Sequence, residues 1–375
     1  MYWQREYLRE AATMTRNDTY RIDLPENGLL GSILFRISAA GVSGAFATAI
    51  RRRIIDYLTK IELVGDGSTI IKSITGEVAE ACKILDQGIG QNDHYTQYGA
   101  GTQWCRFLLN FGRRLFDTEY GLDLSRWKNV ELRVTNDATS SQYGQDFAIS
   151  MLNYYLREGP GGFRGYYRTE EWRKWTTVQN ETKYLELPTE NKIRRVIMQL
   201  VPAVDASNVE QTAMWNLADD VELSLKTGVL RVYKGGIDDL MWENLYHYGK
   251  EYLNVHDIYI TADQGYKVGL GHVLGGAWGA GSADGAGAAV IPTLEAGRTS
   301  FTQKPETYEA DSPIQAVFKG LAPENCVVFR FDHPDEPESY LDVEANKTIK
   351  LDVHTRDSSS AASGTIRVVL DRLVT

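Results

Sequence analysis

Cysteine is scarce in this chain: Cys82, Cys105 and Cys326 are the only three in 375 residues. An odd, scattered set supports neither a disulfide framework nor a thiolate zinc site, and it fits synthesis in a reducing cytoplasm. Long apolar runs are missing too. No stretch of about 18 apolar residues occurs, so the usual mark of a transmembrane helix is absent. The nearest approach, 271–292, is rich in Gly and Ala instead of Leu and Ile. The opening MYWQREYLREAATM is charged throughout and lacks the apolar centre of a signal peptide. A basic excess is also lacking. The formal net charge is -10, which repels phosphate backbones and argues against direct binding of nucleic acid.

Chemical motifs are equally sparse. The six histidines (His94, His247, His256, His272, His333 and His354) form no HxH or HExxH pair. The usual histidine metal sites are therefore not expected, and a metal-bearing double cupin is disfavoured. There is no GxSxG elbow and no P-loop. The stretch Gly275-Gly276-Ala277-Trp278-Gly279-Ala280-Gly281 lacks a strand–turn–helix context and reads as a flexible loop. The acidic group Asp332, Asp335, Glu336 and Glu338, with Asp342 nearby, is interrupted by Pro334 and Pro337 and reads as a solvated turn, not a calcium loop. No catalytic, cofactor-binding or metal-ligating residue is assigned. No cofactor is expected, and the chain reads as a non-enzyme.

What is present is repetition. Ile22-Asp23-Leu24-Pro25, followed by Ile33-Leu34-Phe35-Arg36-Ile37, aligns with Leu185-Glu186-Leu187-Pro188 and Val196-Ile197-Met198-Gln199-Leu200 at a constant offset of 163 residues. Ile61-Glu62-Leu63 matches Val221-Glu222-Leu223 at 160, and Gly67 and Gly76 match Gly228 and Gly236 at 161 and 160. Helical spacing then follows in each half, through Val78, Cys82, Leu85 and Ile89 and through Ile237, Met241, Leu245 and Tyr248. Leu122-Asp123-Leu124 matches Leu341-Asp342-Val343, and Val130, Leu132 and Val134 match Ile349, Leu351 and Val353, all at 219. A last alternating strand closes each half, Phe147, Ile149 and Met151 in one and Ile366, Val368 and Leu370 in the other. Three matched blocks in one order indicate a tandem duplication. The jump from 160 to 219 places 59 extra residues in the second half, including a loop insertion near 271–312.

Strict apolar/charged alternation, as in Val130-Glu131-Leu132-Arg133-Val134, marks half-buried antiparallel strands, and Ser/Asp/Asn-rich turns separate them. Each half has the size and pattern of a jelly roll. The fold predicted is all-β: two tandem jelly-roll β-barrels with short helices and an N-terminal helix. The boundaries are an amphipathic segment 1–17, a first barrel 18–158, a connection 159–180 and a second barrel 181–375. In the leading segment Trp3, Tyr7 and Met14 share one helical face, a candidate contact with a neighbouring subunit or a membrane. The connection is rich in aromatics, with Trp172 and Trp175 as further candidate contacts, and it reads as packed instead of floppy.

These features resemble the double jelly-roll major capsid proteins of the tectivirus, corticovirus and adenovirus-hexon lineage. The resemblance rests on Ile22-Asp23-Leu24-Pro25-Glu26-Asn27-Gly28-Leu29-Leu30, on Phe111-Gly112-Arg113-Arg114-Leu115-Phe116-Asp117 leading to Tyr120-Gly121-Leu122-Asp123-Leu124, and on Leu187-Pro188 with Arg194-Arg195-Val196. It spans about residues 18–375. It implies a virion protein made in the host cytoplasm, forming homotrimeric, pseudo-hexagonal capsomers of an icosahedral capsid. Penton and minor capsid proteins and an internal lipid membrane would be its partners. Gly275, Trp278 and Gly281 would lie in an outward tower loop. The terminal transmembrane anchor of some relatives has no counterpart here. Two other readings stand beside it: a double jelly-roll enzyme acting on glycans, with carboxylates between the barrels, and a carbohydrate-binding or spike module using Trp278.

Overall fold

The computed structural model describes residues 1–40, 53–90, 92–96, 102–140, 143–159, 161–203, 213–226, 228–248, 252–259, 264–267, 270–280, 290–295, 298–303, 314–332, 336–359 and 363–375. At 92–96 and through 318 from 252 it describes the course of the backbone. In the first half the strands are β1 (Tyr2–Met14), β2 (Thr19–Asp23), β3 (Leu29–Ala40), β4 (Leu58–Gly65), β5 (Thr69–Ile74), β6 (Asn92–Thr96), β7 (Thr102–Asn110), β8 (Leu122–Asp123), β9 (Val130–Asn136) and β10 (Phe147–Arg157), with helix α1 (Gly76–Gln87) after β5. One layer runs β1-β10-β3-β7-β6 and the facing layer β2-β9-β4-β5. The second half contains β11 (Tyr166–Thr176), β12 (Thr182–Leu187), β13 (Lys192–Val201), β14 (Ala218–Leu225), β15 (Leu230–Gly235) and helix α2 (Ile237–Tyr248). After these come β16 (Tyr252–Tyr259), β17 (Gln264–Lys267), β18 (Leu270–Ala280), β19 (Val290–Glu295), β20 (Arg298–Gln303), β21 (Ile314–Pro323), β22 (Cys326–Arg330), helix α3 (Val343–Asn346), β23 (Ile349–Thr355) and β24 (Thr365–Val374). Its layers are β11-β24-β13-β22 and β12-β23-β14-β15.

The duplication is visible strand by strand. β2-β9-β4-β5 and β12-β23-β14-β15 have the same order. The register shift between Leu63 and Val64 on β4 recurs between Leu223 and Ser224 on β14. Val130, Leu132 and Val134 point into one core, and Ile349, Leu351 and Val353 into the other, all buried, while the residues between them are half-exposed. Two large apolar clusters result, one centred in each barrel, and the first reaches across to Ile197, Cys326, Val328 and Val369 of the second half. The helices begin at equivalent places. Thr75 caps α1 by accepting from the Val78 N–H, and Gly88 ends the helix in the left-handed conformation at φ 63°.

Residues 2–14 depart from the helix expected of them. They form β1, antiparallel to β10. Irregularities in register between Tyr7 and Arg9 and between Arg9 and Ala12, with Ala11 at φ 46°, move the buried parity from Trp3 to Leu8, Ala12 and Met14. A strand interrupted in this way imitates helical spacing. The aromatic segment after the first barrel holds a strand of the same kind. β11 pairs with β24 as β1 pairs with β10, and its own shift, between Glu171 and Arg173, falls at the place equivalent to Tyr7/Arg9.

The region expected as a loop insertion is also corrected, because strands occupy much of it. β18 lies at the end of the nine-stranded sheet against β21, and β17-β20-β19 form a separate three-stranded sheet. Gly275 and Trp278 are therefore on a strand, opposite Lys319 and Ala316. Gly281 lies outside the described residues. Small residues at 275–280 leave no side-chain alternation from which to read a strand, and antiparallel backbone pairing with β21 organises them.

Two parallel pairings link the halves. β5 lies beside β11 through Thr169 opposite Lys72 and Glu170 opposite Ser73, and β6 lies beside β16. Each pairing joins a layer of the first barrel to strands of the second half in one continuous sheet.

Candidate functional site

The joint between the barrels is built around buried charge. Arg194 and Arg195, consecutive on β13, do not follow strand alternation, because the ladder shifts register between Ile193 and Arg195 and both side chains stay buried. Arg195 Nη1 is 2.9 Å from Asp86 Oδ1 on α1, and its Nε is 2.9 Å from Asp371 Oδ2 on β24. Arg194 reaches Asp86 at 3.2 Å, Asp332 at 2.9 Å and Asp371 at 3.4 Å. Lys72 Nζ on β5 donates to Thr169 Oγ1 at 2.6 Å, and that hydroxyl donates to Asp371 Oδ1 at 2.9 Å. Tyr167 and Tyr340 share a 2.6 Å hydroxyl contact, and the Arg194 guanidinium lies over the Tyr167 ring.

Electrostatics follow from this arrangement. Burial opposes ionisation of Asp371, but Arg195, Arg194 and Lys72 outweigh it and hold the carboxyl below its ordinary value. At Asp332 burial is likewise overcome by Arg194 and Arg330. Burial dominates at Lys72 and lowers its ammonium despite Asp371. Burial also pushes the Cys82 thiol up to about 11 against the pull of Arg195. Asp332, expected in a solvated turn, is thus part of the buried network.

A second charged group lies nearby. Arg53 donates to Asp56 at 2.6 Å and to Glu324 at 2.7 Å. Glu77 at the start of α1 accepts from Gln199 Nε2 at 2.7 Å. The carboxylates of Asp56, Glu77 and Glu324 are close enough to hold a cation, and the Arg53 guanidinium already supplies positive charge to two of them. The joint is a small, crowded, ion-paired space between the two barrels.

The aromatic candidates fall in different places. Met14 is buried in the first core. Trp3 packs on its own barrel. Its ring lies where a Gly31 side chain would be, and Phe116 is 5.5 Å away between centroids. Tyr7 is exposed on β1. Trp172 and Trp175 pack at the margin of the second core, where neither indole N–H has an acceptor among the described residues. The sequence did not draw attention to a surface on the second barrel where Val229, Leu230 and Val232 on or beside β15 and Trp242 and Tyr246 on α2 are all exposed. The signal available was β15's lack of alternation, Val229-Leu230-Arg231-Val232, between two turn residues and a charged end.

No protein-family model matches this chain, and no curated protein matches it in sequence. Solved structures match along its whole length. The STIV major capsid protein superposes with a TM-score of 0.59 at 13% identity, covering 100% of this chain and 97% of that one. The major capsid protein P2 of bacteriophage PM2 gives 0.54 at 10% identity, with 100% and 98% covered. The PBCV-1 virus capsid gives 0.59 at 9% identity, with 99% and 93% covered. The class the fold defines is therefore the double jelly roll. Its particular form here is the one seen in these viral major capsid proteins.

Proposed function

We propose that the chain is the major structural subunit of an icosahedral virus shell, assembling as homotrimers whose six barrels give a pseudo-hexagonal capsomer. The observation that carries this reading is the two-way coverage: this chain and the capsid proteins fill one another almost end to end. Physical argument supports it. Two homologous but unequal barrels in one chain let three copies present six similar sides, the outline needed to tile a surface. A buried ion-paired joint keeps the two barrels at one fixed angle, which a tile requires. Because hexagonal tiles alone do not close, partners at the five-fold corners and minor shell proteins complete the proposal. The membrane contact expected of an amphipathic N-terminal helix is not carried over, since residues 2–14 are a strand. The role is structural, within the virion, after synthesis in the host cytoplasm.

The test is the mass of the purified full chain in solution by light scattering and native mass measurement. A stable three-chain species is expected. A strict monomer at high concentration contradicts the proposal.

A further inference from the structure

The two barrels are alike, but their equivalent surfaces are not equally covered. In the first barrel, β5 meets the second barrel's β11, and Asp86 of α1 meets Arg194 and Arg195 of β13. None of the α1 residues is exposed. In the second barrel, the equivalent elements β15 and α2 have no such cover among the described residues. Helices α1 and α2 start and end 161 residues apart, one more than the Gly76/Gly236 match; Trp242 is 43% exposed and Tyr246 83%, where their α1 counterparts at that offset, Ala81 and Leu85, are 0% and 7%. Among the described residues β15 ends its four-stranded sheet with one side unpaired. An open strand edge carrying apolar side chains is a template for pairing with another strand.

The matching element is also present. β11 and β24 of the second barrel are equivalent to β1 and β10 of the first, down to the shared register shift. Among the described residues β1 ends the nine-stranded sheet with its outer side unpaired. Each chain therefore carries one joint already made, plus an unused copy of each of its two faces. We propose, building on the shell-subunit reading above, that β1 and the outer face of β3 in one copy dock on β15 and α2 of the next. This repeats the joint inside the chain as the contact between chains.

Charge at the two faces agrees. In the joint, Glu170 of β11 stands opposite Ser73 of β5. The counterparts, at offsets of 164 and 161, are Glu6 and Lys234, an acid facing a base. In the joint Gln199 donates to Glu77 at 2.7 Å. The counterparts, at offsets of 163 and 161, are Arg36 and Asp238, again opposite in sign. All four side chains are exposed in the single chain. Asp239 and Glu243 make the open side of α2 more acidic, and Arg106, paired beside Arg36 on β7, makes the opposing sheet face more basic. The contact is head to tail, so each chain uses both faces and a closed ring alternates first and second barrels.

Charge reversal on the full chain tests this, read by native mass and by the dissociation constant of the assembly. Arg36→Asp or Asp238→Arg alone is expected to weaken the three-chain species at least tenfold while circular dichroism stays native, because both side chains are exposed. The two reversals combined in one chain are expected to restore it, and Glu6→Lys with Lys234→Glu to behave likewise. A trimer whose mass and affinity ignore the single reversals, or a folded double variant that fails to recover, overturns this interface and leaves the shell-subunit proposal standing. A monomeric wild type removes both.

Discussion

Asp86 and Arg195 meet at 2.9 Å across the joint, the acid on the first barrel's helix and the base on the second barrel's strand. With Asp371 on the far side of the same guanidinium, this pairing makes the two barrels depend on each other. Removing one partner leaves buried charge only partly compensated, by Asp371 on Arg195 or by Arg194 on Asp86, a loss that approaches about 3–5 kcal/mol. Asp86→Ala and Arg195→Ala are each expected to lower stability by that order. Urea unfolding followed by fluorescence checks it. A change below about 1 kcal/mol would mean that water reaches the pair.

The same network sets the acid limit of the fold. Asp371 and Asp332 titrate below their ordinary values in the folded chain, because flanking arginines outweigh burial. A depressed carboxyl adds stability above its unfolded value of about 3.9, and that stability disappears as pH falls through the lower folded value. Melting temperature is therefore expected to drop steeply below about pH 4, and Asp371→Asn is expected to flatten that drop. Thermal melts of both proteins from pH 2 to 7 provide the comparison.

Gly31 is small because Trp3 needs the room: an added Cβ would come within 2.6 Å of the indole. Gly31→Ala is expected to displace Trp3, lift β1 locally and cost about 1–3 kcal/mol. Combining it with Trp3→Ala should recover part of the loss. Tryptophan emission and melting temperature report both changes.

Burial holds the Cys82 thiol near 11 and raises Cys326 well above its ordinary value. Thiolate is the reactive form. Both residues should resist iodoacetamide at neutral pH in the folded chain and react fully in guanidinium, as intact mass would show. Rapid labelling of Cys82 in the native state would contradict the described packing of α1 against the second barrel.

Most of the architecture was legible because burial on one side imposes period two. Val130 to Val134 and Ile349 to Val353 carry the pattern undiluted, and the duplication followed from comparing such blocks. β1 and β11 escaped notice for a physical reason. Each contains a register shift, so their buried residues change parity midway, and Trp3, Tyr7 and Met14 fell on an apparent helical stripe. The 271–280 strand was hidden by glycine and alanine, which leave no pattern of side chains to read. The joint was illegible for another reason. Arg194, Arg195, Asp86, Lys72 and Asp371 are distant in the chain, and consecutive arginines on a strand predict one exposed side chain instead of two buried ones. The exposed α2 face became meaningful only beside its covered twin, α1.

In the arrangement proposed above, the joint made once within each chain recurs between chains. Electron-microscope class averages of the purified full-length protein test it most directly. Closed rings of six similar lobes, three chains to a ring, are the result this account predicts. Isolated two-lobed particles, or assemblies in which equivalent barrels touch like to like, would contradict it.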